Sequence, residues 1–164
     1  MKPDIVADIT DLSVIGDGEM DALFSSHNIE HLFAHQVPVA LAEFARVLRT
    51  GSGLAVITCP DIQSVGQAIA EGRVTEPLYT SKAGPIAALD ILYGHRASVR
   101  KGEHYMAHRV GFTGRLLVNS LEGAGFEAST GWRQRRHFAL WAIGFRWRAT
   151  EEERAAHRRA YFPM

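Results

Sequence analysis

Hydrophobic positions divide the front of the chain into short strands and one helix. Segments 5–9 and 20–26 are apolar, end in polar residues, and each predict a strand. Residues 37–48 place apolar side chains at helical spacing, and a Gly-Ser-Gly turn follows them. The uninterrupted apolar segment 54–59 predicts a buried strand. Strands of this kind that alternate with helices predict an α/β fold with a mostly parallel sheet.

The pattern of the back half predicts further helices, a long loop and a final pair of strands. Helices are expected over 62–70, 85–93 and 116–121, a loop over 94–108, strands over 126–130 and 138–145, and a tail helix over 150–161. The last two strands are close in sequence, so they should pair antiparallel around a turn at 133–136. We expect one domain over 1–149, with residues 61–110 as a helical and loop insertion, and a helical tail over 150–164.

Composition and charge exclude several classes of protein. The 18 basic and 18 acidic residues cancel, although residues 1–90 carry −7 and residues 91–164 carry +7. One cysteine, Cys59, excludes a disulfide framework. No apolar stretch approaches the ~20 residues that cross a bilayer, and the N-terminus lacks the apolar core of a secretory signal. We expect a cytoplasmic protein with neither a membrane nor a nucleic-acid partner.

Three segments between residues 20 and 61, taken in their order along the chain, resemble the class I S-adenosylmethionine-dependent methyltransferases of the type 11-like group. Residues 20–32 are similar to the family's fourth strand and its "LEHL" motif. Residues 41–53 resemble its "E-x-x-R-V-L-K-P-G-G" helix and turn, and residues 54–61 resemble its fifth strand. The resemblance implies a truncated, doubly wound, Rossmann-like sheet, mostly parallel, with a C-terminal antiparallel strand pair.

The same resemblance predicts that the chain starts at the family's third strand. The family's Gly-rich turn and the acidic residue after its second strand come earlier, and at ~30 residues per βαβ unit about 60 residues would be absent. No G-x-G turn stands between a strand and a helix here. We expect the strand at 5–9 to pair with the strand at 20–26. Otherwise the exposed edge must take a second chain, and a homodimer is a further expectation.

The resemblance implies methyl transfer from S-adenosylmethionine, the expected cofactor, to a small-molecule acceptor. Asp8 and Ile9 match positions after the third strand that face the adenine, and Ser25 and Ser26 follow the fourth strand. These four are the expected cofactor-binding residues. Because the Gly-rich motif is missing, a second hypothesis is a non-catalytic, methyltransferase-like binding or assembly module.

Two residues are the expected catalytic groups. His27 follows the fourth strand, and Tyr105 lies with His104 and His108 in the basic loop that would overhang the substrate side. These three loop residues could act as a general base or contact the substrate. A solvated surface loop is the alternative interpretation.

Segment 27–31 also carries a metal-ligand pattern. His27, Glu30 and His31 form H-x-x-E-H, the inverted zinc-peptidase signature, so a metal-dependent hydrolase is a third hypothesis. Some metal-assisted methyltransferases carry E-x-x-E-H at this place, and Glu30 and His31 are therefore candidate metal ligands. We nevertheless expect no divalent metal, because a helix start that lines a pocket explains the same residues.

The remaining chemical candidates have simple structural interpretations. Cys59 has no evident base beside it and is expected to be a small buried residue. Trp132, Arg133, Arg135 and Arg136 could hold an anion, but a polar hairpin tip is the favoured interpretation.

Overall fold

A computed structural model describes residues 3–162. Residues 1–2 of the predicted domain and residues 163–164 of the predicted tail lie outside the described residues. The strands are β1 Ala22–Ser26, β2 Leu54–Pro60, β3 Pro77–Ser81, β4 Gly84–Ala87, β5 Ala128–Gln134 and β6 Ala139–Phe145. The helices are α1 Val37–Val47, α2 Ile62–Ala70, α3 Ala88–Tyr93, α4 Arg96–Arg100, α5 Gly114–Gly123 and α6 Glu151–Tyr161. Short 3₁₀ turns cover Ile29–His31, His104–Met106 and Arg135–His137. None of the helices described is both long and apolar enough to span a membrane.

Four strands form the main sheet, in the order β1-β2-β6-β5. β1 runs parallel to β2, whereas β6 is antiparallel to both β2 and β5. Three of the four strands therefore share one direction and only β6 is reversed. The predicted α/β class and Rossmann-like sheet are confirmed, as is the C-terminal antiparallel pair, although its first strand starts at Ala128 rather than at 126 and extends to Gln134.

Both faces of this sheet are covered. One face packs against α1 and α5, and its core includes the buried side chains of Leu41, Phe44, Ile57, Leu117 and Leu121. The other face is covered by the C-terminal segment, where the Phe162 ring lies 6.2 Å from the rings of both Trp132 and Trp141. α6 begins with a capping box, in which Thr150 and Glu153 exchange hydrogen bonds.

The predicted strand over residues 5–9 is wrong. In this segment only an isolated bridge from Asp8 to Asp11 is present, and Ile5 and Val6 are 50% and 86% exposed. A strand needs a partner for its backbone groups, and this segment does not pair with β1 as expected. Among residues 3–162, the edge of β1 opposite β2 has no strand beside it.

The insertion over residues 61–110 also differs from its prediction. The helix expected over 85–93 begins only at 88, because the residues before it form a two-stranded hairpin of β3 and β4. The loop expected over 94–108 contains α4 and a 3₁₀ turn. This part has a small core of its own, made of the buried side chains of Val65, Ile86, Ala88 and Ile91.

Candidate functional site

The first candidate site begins where β1 and β2 end side by side. The Ser26 and Thr58 hydroxyls lie 3.0 Å apart, and the backbone N–H of His27 donates to the carbonyl oxygen of Thr58 at 2.9 Å. His27 has a φ of +52°, a left-handed conformation that bends the chain away from the strand direction. The following 3₁₀ turn, Ile29–His31, therefore packs against β2 instead of continuing β1.

Glu30 is the buried carboxylate of this turn. Only 1% of the residue is exposed. Its Oε1 atom lies 3.1 Å from Nδ1 of His27, whereas its Oε2 atom is buried and has no hydrogen-bond partner among residues 3–162. Burial, and then the negative charges of Glu30 and Asp61, raise the pKa of the Cys59 thiol. Cys59 is thus a buried, protonated residue, in agreement with its sequence interpretation.

Two histidines stand beside Glu30. His31 Nδ1 lies 3.1 Å from the carbonyl oxygen of Ala107, and His108 Nδ1 lies 2.8 Å from that of Ile91. Their ring centroids are 5.0 Å apart. One ligand atom each from Glu30, His31 and His108 lies within 4.8 Å of the others. Burial is the main cause of the lowered pKa of His108. It outweighs the hydrogen bond to the Ile91 carbonyl and the charge of Glu30, which both raise this pKa, so the His108 ring is neutral at pH 7.

The membership of His108 in this cluster was missed by sequence reasoning. It is separated from His31 by most of the insertion, and no spacing rule connects the two. Backbone bonds bring them together, because the N–H groups of Arg109 and Val110 donate to the carbonyl oxygen of Glu30 at 2.8 and 3.3 Å.

The second candidate site is a cavity of about 260 Å³ along the free edge of β1. It is lined by Ile9, Leu12, Ile15, Met20, Ala22, Leu23, Phe24, Ser25, Asn28, Phe44 and Val47. Arg46 fixes the loop that closes it, donating to the carbonyl oxygens of Leu12 and Ile15, both at 2.9 Å. Because most of the lining side chains are apolar, the cavity has few polar groups at its wall.

The structure brings two of the four expected cofactor-binding residues into this cavity. Ile9 and Ser25 line it, and the Ser25 hydroxyl accepts a hydrogen bond from Asn28 at 3.4 Å. Asp8 is outside the lining, and hydrogen bonds from the N–H and hydroxyl of Thr10 lower the pKa of its carboxyl group. Ser26 is also outside the lining and instead contacts Thr58.

The two expected catalytic residues have different surroundings. Tyr105 is 67% exposed in the turn His104–Met106, and the structure gives no hydrogen bond to it within residues 3–162. The His27 imidazole contacts Glu30 and is not part of the Glu30, His31 and His108 cluster. His27 also precedes a 3₁₀ turn and not an α-helix, so the helical geometry of the zinc-peptidase hypothesis is not formed.

Arg133 is committed to a structural ion pair. Its Nε donates at 2.7 Å to Asp61, whose side chain is fully buried, and its Nη2 donates at 3.0 Å to Ser64. Asp61 in turn caps α2 by accepting from the N–H of Gln63. Arg133 is thus unavailable for an anionic ligand.

Comparisons with known proteins agree with this architecture. The family described as "Methyltransferase domain" matches residues 2–56. A putative O-methyltransferase from Nostoc punctiforme has a TM-score of 0.54 at 10% identity, over 86% of this chain and 35% of its own. A SAM-dependent methyltransferase from Methanosarcina mazei has a TM-score of 0.52 at 14% identity, over 86% and 66%. No curated protein matches the sequence.

A protein from Pyrococcus horikoshii is similar in the same way. It has a TM-score of 0.52 at 14% identity, and the alignment covers 86% of this chain and 57% of that protein. The chain thus spans between about one third and two thirds of the length of these solved structures. The chain therefore shares the fold of these solved structures, and its residues 2–56 are similar to the methyltransferase domain family.

Proposed function

We propose that this chain binds S-adenosylmethionine and takes part in methyl transfer to a small-molecule acceptor. The observation that carries the proposal is the cavity beside β1. It lies within the segment that matches the family, and it contains Ile9 and Ser25, which the resemblance assigns to the cofactor. Ligands of doubly wound sheets bind near the carboxyl ends of the strands, which is where Ser25 stands.

The lining suits part of the cofactor. Apolar side chains such as Leu12 and Phe44 provide flat, dry contact for the adenine ring, and Ser25 and Asn28 offer hydrogen bonds at its edge. A volume of about 260 Å³ is near the lower end of ligand cavities, which run from ~300 Å³ upward. The cavity therefore fits one portion of the cofactor and leaves the rest outside.

The chain's contribution to the reaction would be positioning. When bound, the cofactor supplies a methyl group on a sulfonium, which is a good leaving group. The protein needs mainly to align the acceptor atom with that methyl group and to exclude water. Ile9 and Ser25 would hold part of the cofactor, which would supply the methyl group to the acceptor.

Calorimetry and thermal melting of the full chain test the proposal with S-adenosylmethionine and its demethylated product. We expect saturable binding and a rise in Tm for both ligands, because each binds only the folded state. Ile9→Trp fills the cavity and should weaken binding at least tenfold. Val6→Trp makes a similar change at an 86% exposed site outside the lining and should leave binding unchanged. Absence of heat and of a Tm shift at millimolar ligand would refute the proposal.

The free edge of β1 supports a second candidate, a non-catalytic assembly module whose partner is a second copy of this chain. Five residues, Ala22–Ser26, present an edge without a strand partner among the residues that the structure describes. Two such edges can pair with each other about a two-fold axis. Sedimentation velocity should then show a concentration-dependent dimer, which Ala22→Lys weakens by placing a charge at the edge. A monomer at all concentrations contradicts this candidate.

A further inference from the structure

Glu30 presents an unusual combination of burial and unused bonding capacity. A carboxylate that leaves water needs compensating partners, and its desolvation costs several kcal/mol without them. Here Nδ1 of His27 lies 3.1 Å from Oε1, but Oε2 is buried and has no hydrogen-bond donor in the part of the chain that the structure describes. His31 and His108 each place a ring nitrogen within 4.8 Å of a Glu30 carboxylate oxygen.

The hydrogen bonds of the two histidines orient their rings. A backbone carbonyl oxygen can only accept, so Nδ1 of His31, beside Ala107 O, and Nδ1 of His108, beside Ile91 O, must carry the proton in these bonds. In this tautomer the lone pair of each ring is at Nε2. This arrangement is the one that metal-binding histidines use, since a second group fixes the tautomer and the ring orientation.

The two halves of the cluster are held together by the backbone. The N–H groups of Arg109 and Val110 donate to the Glu30 carbonyl oxygen, and the Arg109 guanidinium donates to the His31 carbonyl oxygen at 3.2 Å. That guanidinium also lies 4.4 Å from the centroid of the Phe33 ring. The residues on either side of the cluster are thus fixed before any ligand arrives.

We propose that Glu30, His31 and His108 bind a divalent transition-metal ion, with zinc the preferred ion. Two imidazole nitrogens and one carboxylate oxygen suit zinc and its neighbours, whereas magnesium prefers oxygen ligands alone. The proposal does not depend on cofactor binding in the β1 cavity.

The geometry requires only a small contraction of the cluster. Ligand atoms at ~2.0–2.2 Å from a tetrahedral zinc are about 3.4 Å from one another. The three ligand atoms already lie within 4.8 Å of one another, so side-chain shifts of about 1 Å bring them to this spacing. Three protein ligands leave a fourth position for water or a substrate oxygen. A cavity of about 270 Å³, lined in part by Pro60, Tyr93 and His108, adjoins the cluster.

Zinc titration of the chelator-stripped full chain tests this proposal. We expect one equivalent of zinc, measured by competition with a chromophoric chelator and by a rise in Tm. Cobalt(II) should give the intense visible absorption of a low-coordinate site with nitrogen and oxygen ligands. Glu30→Gln, His31→Ala and His108→Ala should each lower the zinc affinity at least 100-fold. His27→Ala removes only the partner of the Glu30 Oε1 atom and should lower the zinc affinity about tenfold.

Two exposed histidines of the same segments provide matched controls. His35→Ala and His104→Ala should keep both the stoichiometry and the cobalt spectrum. If His108→Ala retains wild-type zinc affinity, or if the control variants lose as much as the ligand variants, the proposal is overturned. Far-UV circular dichroism of each metal-free variant separates lost binding from lost folding, and Glu30→Gln keeps the shape of the side chain for the same purpose.

Discussion

Residues 20–61 and residues 71–110 both contribute to the Glu30, His31 and His108 cluster, yet they are built differently. The first region supplies β1, α1 and β2, whose side chains join the main core under the sheet. The second region supplies β3, β4 and α3, which pack with α2 on a small separate core. The cluster is therefore assembled from a firmly packed half, with Glu30 and His31, and a lightly packed half, with His108.

The difference in packing between the two regions indicates where local unfolding should begin. Elements with few buried apolar contacts open at lower free energy than elements of the main core. The region around His108 is held mainly by backbone bonds and by a small core, so it can open while β1 and β2 remain folded. Three changes test this comparison, in order of decreasing expected effect.

The largest effect is expected from matched truncations of the two cores. Leu41→Ala, at a fully buried position of α1, should reduce the free energy of unfolding by about 3–4 kcal/mol. Ile91→Ala, at a 5% exposed position of α3, should cost about 2 kcal/mol because the smaller core can relax. Denaturant unfolding measures both changes. Hydrogen exchange should show that Leu41→Ala loosens the whole sheet and Ile91→Ala loosens only residues 84–110. Equal, global loosening by both variants would refute the distinction.

A smaller effect is expected at the glycine that brings the second region against the cluster. Gly94 has a φ of +89°, and a Cβ atom there would clash with the Met106 carbonyl oxygen. Gly94→Ala should cost about 2–3 kcal/mol, through strain and through displacement of the chain that carries His108. Gly102 has a similar φ of +94° with open space around it, so Gly102→Ala should cost only about 1 kcal/mol. Thermal melting measures both, and the steric argument fails if the two costs are equal.

The same comparison explains how much of the fold could be predicted. Residues 37–48 and 54–59 carry long periodic or continuous apolar patterns, and α1 and β2 appear where these patterns place them. Segment 5–9 has the composition of a strand, but a strand also needs a neighbour, which composition does not reveal. The β3–β4 hairpin was missed because its half-exposed residues alternate weakly and its proline and glycine residues suggest loop.

The candidate sites were predictable to the extent that they are local in sequence. Glu30 and His31 are adjacent, so a motif could mark them. His108 joins them through hydrogen bonds of its neighbours Ala107, Arg109 and Val110, which depend on how the insertion folds back. Ile9 and Ser25 were expected from a resemblance, and the path of the loop over β1 brings them to one cavity.

The smallest effect is expected from an ion pair that fixes the loop over the β1 cavity to the firmly packed region. Glu43 accepts from Arg46 at 2.6 and 2.8 Å and from the N–H of Leu12 at 2.7 Å. The Arg46 hydrogen bonds are the main cause that lowers the pKa of Glu43 from 4.5 to about 2. Since the folded-state pKa is the lower one, this stabilisation is complete above pH 4.5 and disappears as the pH falls toward 2.

Replacing this carboxylate should therefore change both stability and its dependence on pH. Glu43→Gln should cost about 1 kcal/mol at pH 7, because the pair lies near the surface, and should flatten the loss of stability between pH 5 and 2. Glu71→Gln removes a more exposed carboxylate, which pairs with Arg73 in the region 71–110. We expect this variant to change neither the stability at pH 7 nor the dependence of stability on pH. Denaturant unfolding at a series of pH values measures both variants. A wild-type pH profile in Glu43→Gln would show that the loop over β1 does not depend on this contact.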